Sequence, residues 1–188
     1  MEKILVVDNN DSFVYNIVEI LRGRSEVDVC LSKDLYIGIE DRYDKIILSP
    51  GAGLPSDYPD MEKLILRCLK THPIFGVCLG FQALAVALGA SLKQLSAPKH
   101  GHSSSLNIID TNDVLLRGVP CGSSVGRYHS WVVDSNSVPK EMIITSYDED
   151  DNIMSFSHIE LPIYGVQFHP ESIITEHGVQ MLLNFVNV

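Results

Sequence analysis

The sequence predicts an α/β fold: a central, mostly parallel sheet with flanking helices and a mixed or antiparallel extension, in a single domain over residues 1–188. Three observations carry this expectation. Short apolar runs without polar alternation recur through the first half, which is the pattern of strands buried on both faces. Between them stand stretches with apolar residues at helical spacing, and that strand–helix rhythm favours parallel neighbours. After residue 90 the helical stretches give way to short strands and turns.

Each element follows from its residues. KILVVD (3–8) reads as the first buried strand, and Phe13, Ile17, Ile20 and Leu21 recur at helical spacing after it. Asp11 or Ser12 is the expected N-cap of that helix. VDVCL (27–31) and KIILS (45–49) are the second and third strands, and PGAGLPSDYP (50–59) is a Gly/Pro loop. Met61, Leu64, Ile65, Cys68 and Leu69 mark one face of a helix. PIFGV (73–77) is the fourth strand, and a second apolar helix over 80–88 ends at Gly89. Beyond it SLKQL, LNIID, Val125–His129, WVVD, MIITSYD and IMSFSH read as short strands of the extension. The acidic run Asp148-Glu149-Asp150-Asp151 reads as a solvated hairpin turn. IYGVQF (163–168) is another buried strand, and Val179, Leu182, Leu183 and Val186 mark a closing helix.

Composition narrows the function. The chain carries a formal net charge of -10, whereas nucleic acid and anionic membranes both reward Lys and Arg, so neither is an expected partner. No apolar run approaches the roughly 18 residues of a membrane span. MEKILVVDNND lacks a signal-peptide pattern, and a cytoplasmic location is expected. Cys30, Cys68, Cys78 and Cys121 form no CxxC and join no histidine at zinc spacing, so neither a metal site nor disulfides are expected. Cys30 and Cys68 fall on a strand face and a helix face and read as core.

Cys78 is different. Gly76-Val77-Cys78-Leu79-Gly80 stands between a strand and a helix in the form G-x-C-x-G, the thiol version of the nucleophile elbow. A sharp strand-to-helix turn brings the flanking positions together, where a Cβ would clash. It leaves the thiol above the carboxyl end of the sheet, where open α/β folds bind ligands. The helix start favours a thiolate, and the N–H of Leu79 can hold an oxyanion. The same string also suits a buried cysteine in a tight turn. What separates the two readings is a proton carrier. Among His72, His100, His102, His129, His158, His169 and His177, the best placed is His169 in GVQFHPES (165–172). It follows a buried strand, and Glu171 lies within reach of its ring, where a carboxylate fixes the tautomer and stabilises the imidazolium. His100, His102 and His129 read as loop or hydrogen-bonded structural histidines.

GVCLGFQAL together with GVQFHPES resembles the class I glutamine amidotransferases. DNNDSF (8–13), SPGAGLP (49–55), PKHGHSS (98–104) and RYHSW (127–131) make the chain similar to the small subunit of anthranilate synthase or aminodeoxychorismate synthase, over essentially its whole length. The tail HPESIITEHGVQMLLNF inclines toward the aminodeoxychorismate branch. The resemblance implies Cys78 as nucleophile, His169 as acid/base and Glu171 as its orienter. It implies an oxyanion hole from the N–H groups of Gly53 and Leu79, and a cradle over Gly51, Ala52 and Gly53. L-Glutamine would further meet Gln82 and the backbone at Ser130 and Trp131. Ammonia would pass to a chorismate-using synthase on a separate chain. No cofactor is implied in this chain, and Mg2+ is expected on that partner.

The chain departs from the family pattern at a few positions. Phe81 stands where the family usually has histidine, and Ala52 where it usually has proline. Lys99 and His102 stand where Met and Lys are usual, and Trp131 where Leu is usual. Phe81 is expected to pack rather than react, and Trp131 to serve as an apolar wall. Lys99–Ser104 and DNNDSF are expected to face the partner. Two other functions remain open on sequence: a stand-alone cysteine hydrolase of γ-glutamyl compounds, and a non-catalytic regulatory subunit on the same scaffold.

Overall fold

The computed structural model describes all 188 residues. In chain order the first half holds β1 (Lys3–Asn9), α1 (Val14–Leu21), β2 (Glu26–Leu31), β3 (Lys45–Gly51), α2 (Pro59–Cys68), β4 (Ile74–Val77) and α3 (Leu79–Ala87). There follow β5 (Leu92–Ser105), β6 (Asn107–Ile108), β7 (Ser124–Val133), β8 (Met142–Tyr147), β9 (Ile153–His158), β10 (Ile163–Val166) and α4 (Gly178–Val186). Eight strands form one sheet in the order β2-β1-β3-β4-β10-β9-β8-β6. The five from β2 to β10 are parallel, and β9, β8 and β6 extend the sheet antiparallel.

Alternate residues of the parallel strands feed two cores. Ile4, Val6, Ile47, Phe75 and Val77 pack toward Val14, Ile17 and Leu21 of α1 and Met181, Leu182 and Phe185 of α4. Leu5, Val7, Ile46, Leu48 and Ile74 pack toward Met61, Leu64, Ile65 and Cys68 of α2 and Phe81, Leu84 and Ala85 of α3. Both faces are therefore covered, as apolar runs without alternation require. Each fully buried aliphatic or aromatic side chain contributes about 1.5–3 kcal/mol relative to exposure.

The structure corrects several expectations. α1 is capped by neither predicted side chain: Phe13 occupies the N-cap, and Asp11 Oδ1 accepts from the Phe13 N–H at 2.8 Å. Val125–His129 and WVVD are not separate strands but parts of β7, and SLKQL is only the start of β5. β5 and β7 form a two-stranded antiparallel ribbon outside the main sheet rather than part of its extension. β10 ends at Val166, although the Gln167 N–H still donates to Met154 O of β9 at 2.8 Å. α4 buries Met181, Leu182 and Phe185, while Val179 is exposed, because the helix seats one turn face and not the one Val179 marks. Asp148-Glu149-Asp150-Asp151 does link β8 to β9, but Asp148 is buried, held there by Arg127.

Candidate active site

β4 and β10 are parallel neighbours with Val77 paired to Val166. One residue beyond that pair the chain turns sharply at Cys78, whose N–H donates to Val166 O at 2.8 Å. Cys78 has φ 51°, a conformation rare for a residue with a Cβ, and it caps α3. The bracketing glycines make this possible. A Cβ on Gly76 would lie 2.5 Å from the Gly80 backbone, and one on Gly80 would lie 2.3 Å from Leu48 O of β3. So Gly76 serves the turn itself, while Gly80 lets α3 sit against the sheet. Leu79 is the first residue of α3, where backbone N–H groups have no intrahelical acceptor.

His169 follows β10 and reaches the same end of the sheet. Its Nδ1 lies 2.7 Å from Glu171 Oε1, with both side chains buried. Nε2 is buried and without a protein partner. Burial alone would discourage charge on this ring. The neighbouring Cys78, with the Glu171 carboxylate behind, outweighs it and pushes His169 up to about 10. Tyr128 and Phe13 pack edge-on against the ring at 4.8 and 5.5 Å between centroids. The His169 N–H donates to Gly126 O of β7 at 2.9 Å, and Thr175 Oγ1 accepts from the Gly126 N–H at 2.9 Å. β7 thus clamps the HPES turn.

Beside Cys78 lies a cleft of about 380 Å³ lined by Gly51, Ala52, Gly53, Cys78, Leu79, Gln82, Gln94, His100, Tyr128, His129, Ser130 and Trp131. The strip Gly51–Gly53 is pinned from below. Tyr58 OH lies 2.9 Å from Ala52 O, and the Leu54 N–H donates to Asp57 Oδ2 at 2.8 Å. Gly53 has φ +80°, and a Cβ there would strike Asp57 Oδ2 at 2.4 Å. Gln82 donates to Trp131 O at 2.8 Å and to Gln167 Oε1 at 3.1 Å. Trp131 lines the cleft, and Phe81 is wholly buried against Phe156 at 5.3 Å.

All ten residues singled out from sequence therefore gather at one edge: Cys78, His169 and Glu171 at the elbow, and Gly51, Ala52, Gly53, Leu79, Gln82, Ser130 and Trp131 in the cleft. Sequence reasoning missed Phe13, Tyr128 and Gln167. Phe13 reads from sequence as an apolar helix position within the partner-facing DNNDSF, yet it touches His169. Gln167 carried a signal in GVQF, where a polar residue ends an apolar run, and its Nε2 lies 3.7 Å from Cys78 Sγ. His129 is buried and hydrogen-bonded, while His100 lies on β5 at the cleft wall. No group of three or more His, Cys, Asp or Glu is arranged to hold a metal ion, and no helix is long and apolar enough to cross a membrane.

The chain is 39% identical over 190 residues to anthranilate synthase component 2 of Mycobacterium tuberculosis, covering 98% of this chain and 81% of the relative. It is 39% identical over 195 residues to anthranilate synthase component 2 of Saccharolobus solfataricus, covering 100% and 99%. It is 40% identical over 190 residues to the aminodeoxychorismate synthase of Streptomyces griseus, covering 97% of this chain and 25% of that much longer protein. A crystal structure of a glutamine amidotransferase from Thermotoga maritima shares the fold, with TM-score 0.83, 19% identity and 99% and 96% of the two chains covered. The profile of the family described as glutamine amidotransferase class-I matches residues 5–188. With the elbow, the histidine pair and the cleft in one place, this chain belongs to the class-I glutamine amidotransferase family.

Proposed function

We propose that the chain is the glutaminase subunit of a chorismate-using synthase and that Cys78, His169 and Glu171 are its catalytic triad. The observation that carries the reading is the buried His169–Glu171 pair set beside a thiol at a strand-to-helix elbow, at the mouth of a cleft large enough for an amino acid. The Cys78 thiolate attacks the side-chain amide carbon of L-glutamine. Negative charge develops on the carbonyl oxygen and is held by the N–H groups of Gly53 and Leu79. His169 gives its Nε2 proton to the amide nitrogen, the C–N bond breaks, and ammonia leaves. A γ-glutamyl thioester remains. Water gives a proton back to His169 as it attacks, and the C–S bond breaks to yield glutamate and the thiolate. Gly51, Ala52, Gly53, Gln82, Ser130 and Trp131 hold the amino-acid end of the substrate.

The ammonia goes to a separate synthase chain that holds chorismate and Mg2+; this chain works without a cofactor. The names borne by the relatives support a two-component synthase: several are component 2 of anthranilate synthase, and one is an aminodeoxychorismate synthase. The tail HPESIITEHGVQMLLNF inclines the choice slightly toward aminodeoxychorismate. Purification from the native host, with identification of the chorismate-binding chain that accompanies it, assigns the pathway. With that partner present, glutamine should yield glutamate, and Cys78→Ala should abolish the release. Full activity in Cys78→Ala would overturn the reading.

A further inference from the structure

A run of hydrogen-bonded polar groups, passing through Gln82 and the Trp131 carbonyl of the cleft, ends at the reactive sulfur. Arg127 and Asp148, both wholly buried, are paired through Nη1 and Oδ2, and Arg127 Nη1 also donates to Ser104 Oγ at 3.1 Å. Arg127 Nε donates to His129 Nε2 at 3.1 Å. A guanidinium has no acceptor, so His129 Nε2 must accept and its proton must sit on Nδ1. That Nδ1–H donates to Trp131 O at 2.9 Å. Burial and the adjacent guanidinium keep the ring neutral, with its pKa pushed down to about 3.

Gln82 Nε2 donates to the same Trp131 carbonyl at 2.8 Å. A carbonyl can only accept, which settles the end of the Gln82 amide that carries nitrogen. Its second N–H reaches Gln167 Oε1 at 3.1 Å. Gln167, with no solvent exposure, therefore turns its own nitrogen to Cys78 Sγ at 3.7 Å. From the obligate acceptor at Trp131 O, each link through Gln82 and Gln167 has one permitted direction, and the last is an N–H aimed at sulfur.

We infer that Gln167 is a further catalytic residue, its side-chain N–H holding the Cys78 sulfur as a thiolate in one rotamer, and that Gln82, oriented by the Trp131 carbonyl, is the positioning residue that fixes the polarity of that hydrogen bond. The inference rests on the reading of Cys78 as the nucleophile. A hydrogen bond to an anion is stronger than one to a neutral group, so the donor favours the charged sulfur before attack and releases it on thioester formation. His169, with Glu171 behind it, faces the same sulfur and is unchanged in every variant below, so its contribution is common to all of them.

The test reads the sulfur directly. Iodoacetamide alkylation of Cys78 is followed from pH 5 to 10 in the full-length protein, beside glutamate release with the native partner. Gln167→Met keeps the bulk and removes the donor. Its alkylation midpoint should move up by about one pH unit, the worth of one hydrogen bond to a charged group. Its kcat should fall about tenfold at neutral pH, by the same hydrogen bond, with KM within about twofold. Gln167→Glu should move the midpoint further, since it sets a carboxylate against the thiolate. Should Gln167 variants fold poorly, Gln82→Met decides. Methionine at position 82 removes the donor to Gln167 Oε1 and frees that amide to turn, so the midpoint should move the same way. A parent-like midpoint in folded Gln167→Met or in folded Gln82→Met would overturn the inference. Normal labelling of Cys78 in a parent protein that releases no glutamate would count against the glutaminase reading alone.

Discussion

Phe81 fills the space that Gly165 leaves empty: a Cβ on Gly165 would stand 2.9 Å from Phe81 Cδ2 and 3.2 Å from Phe156 Cε1. The aromatic side chain at this departure from the family pattern is a core residue of the α3 face, one turn behind the nucleophile. Gly165→Ala should cost about 1–3 kcal/mol through overpacking, measured by urea unfolding. Phe81→His should lower stability by about 1–3 kcal/mol, because an imidazole would be buried there without a partner. The folded fraction should keep nearly the parent rate of glutamate release. A rate change beyond that accounted for by unfolded protein would show that position 81 acts on the chemistry.

Gly80→Ala should be more damaging than a helix-interior alanine has any intrinsic reason to be. Its Cβ would meet the Leu48 carbonyl and side chain, at 2.3 and 2.6 Å, and backbone cannot swing aside. α3 must lift off β3, carrying the Leu79 N–H with it. Stability and glutaminase activity should fall together, the first by about 2 kcal/mol or more. Parent-like values of either would contradict the close seating of α3.

Glu171→Gln keeps the shape and removes the charge beside His169 Nδ1. The imidazolium loses its support, and the amide can hold the ring in the wrong tautomer. By analogy with carboxylate-to-amide changes in hydrolytic triads, kcat should fall by about 10²–10⁴-fold with KM little changed. Steady-state glutamate release with the partner measures this, and a loss under tenfold would remove Glu171 from its assigned role.

The buried neutral His129 predicts an acid-sensitive fold. Its folded pKa, about 3, lies below the ordinary histidine value of 6.5. Unfolded chains bind its proton first as pH falls, so the stability it contributes is fully present above pH 6.5 and is lost progressively on the way down to about 3. His129→Asn does not titrate. Across thermal melts from pH 7 to 4, the parent should lose more Tm than His129→Asn, and parallel curves would contradict a buried neutral ring.

What the sequence made legible follows from where its information is local. β1, β3 and β4 were readable because both faces of each strand are buried, so apolar character is continuous. Cys78 was readable because the turn demands glycine at fixed offsets. β5 was not, since its run APKHGHSSS is mostly exposed and is held by its antiparallel partner β7 rather than by an apolar face. Asp148 was misread for a related reason. An acidic run looks solvated until Arg127, distant in sequence, places a buried guanidinium against one member of it. Gln167 and Phe13 gain their meaning only from the residues that topology sets beside them.

Gln167 and Cys78 are 89 residues apart in sequence, and the strand that joins them enters a slot between β4 and β9. During synthesis the thiol elbow therefore emerges long before His169 does. Closing so large a loop is slow compared with local helix formation. In a nascent chain Cys78 stays without His169 until β10 slides between β4 and β9, and under the proposed mechanism no glutamine is cut before then. The sheet must therefore be whole before the proposed pair exists, and a chain truncated ahead of β10 should release no glutamate.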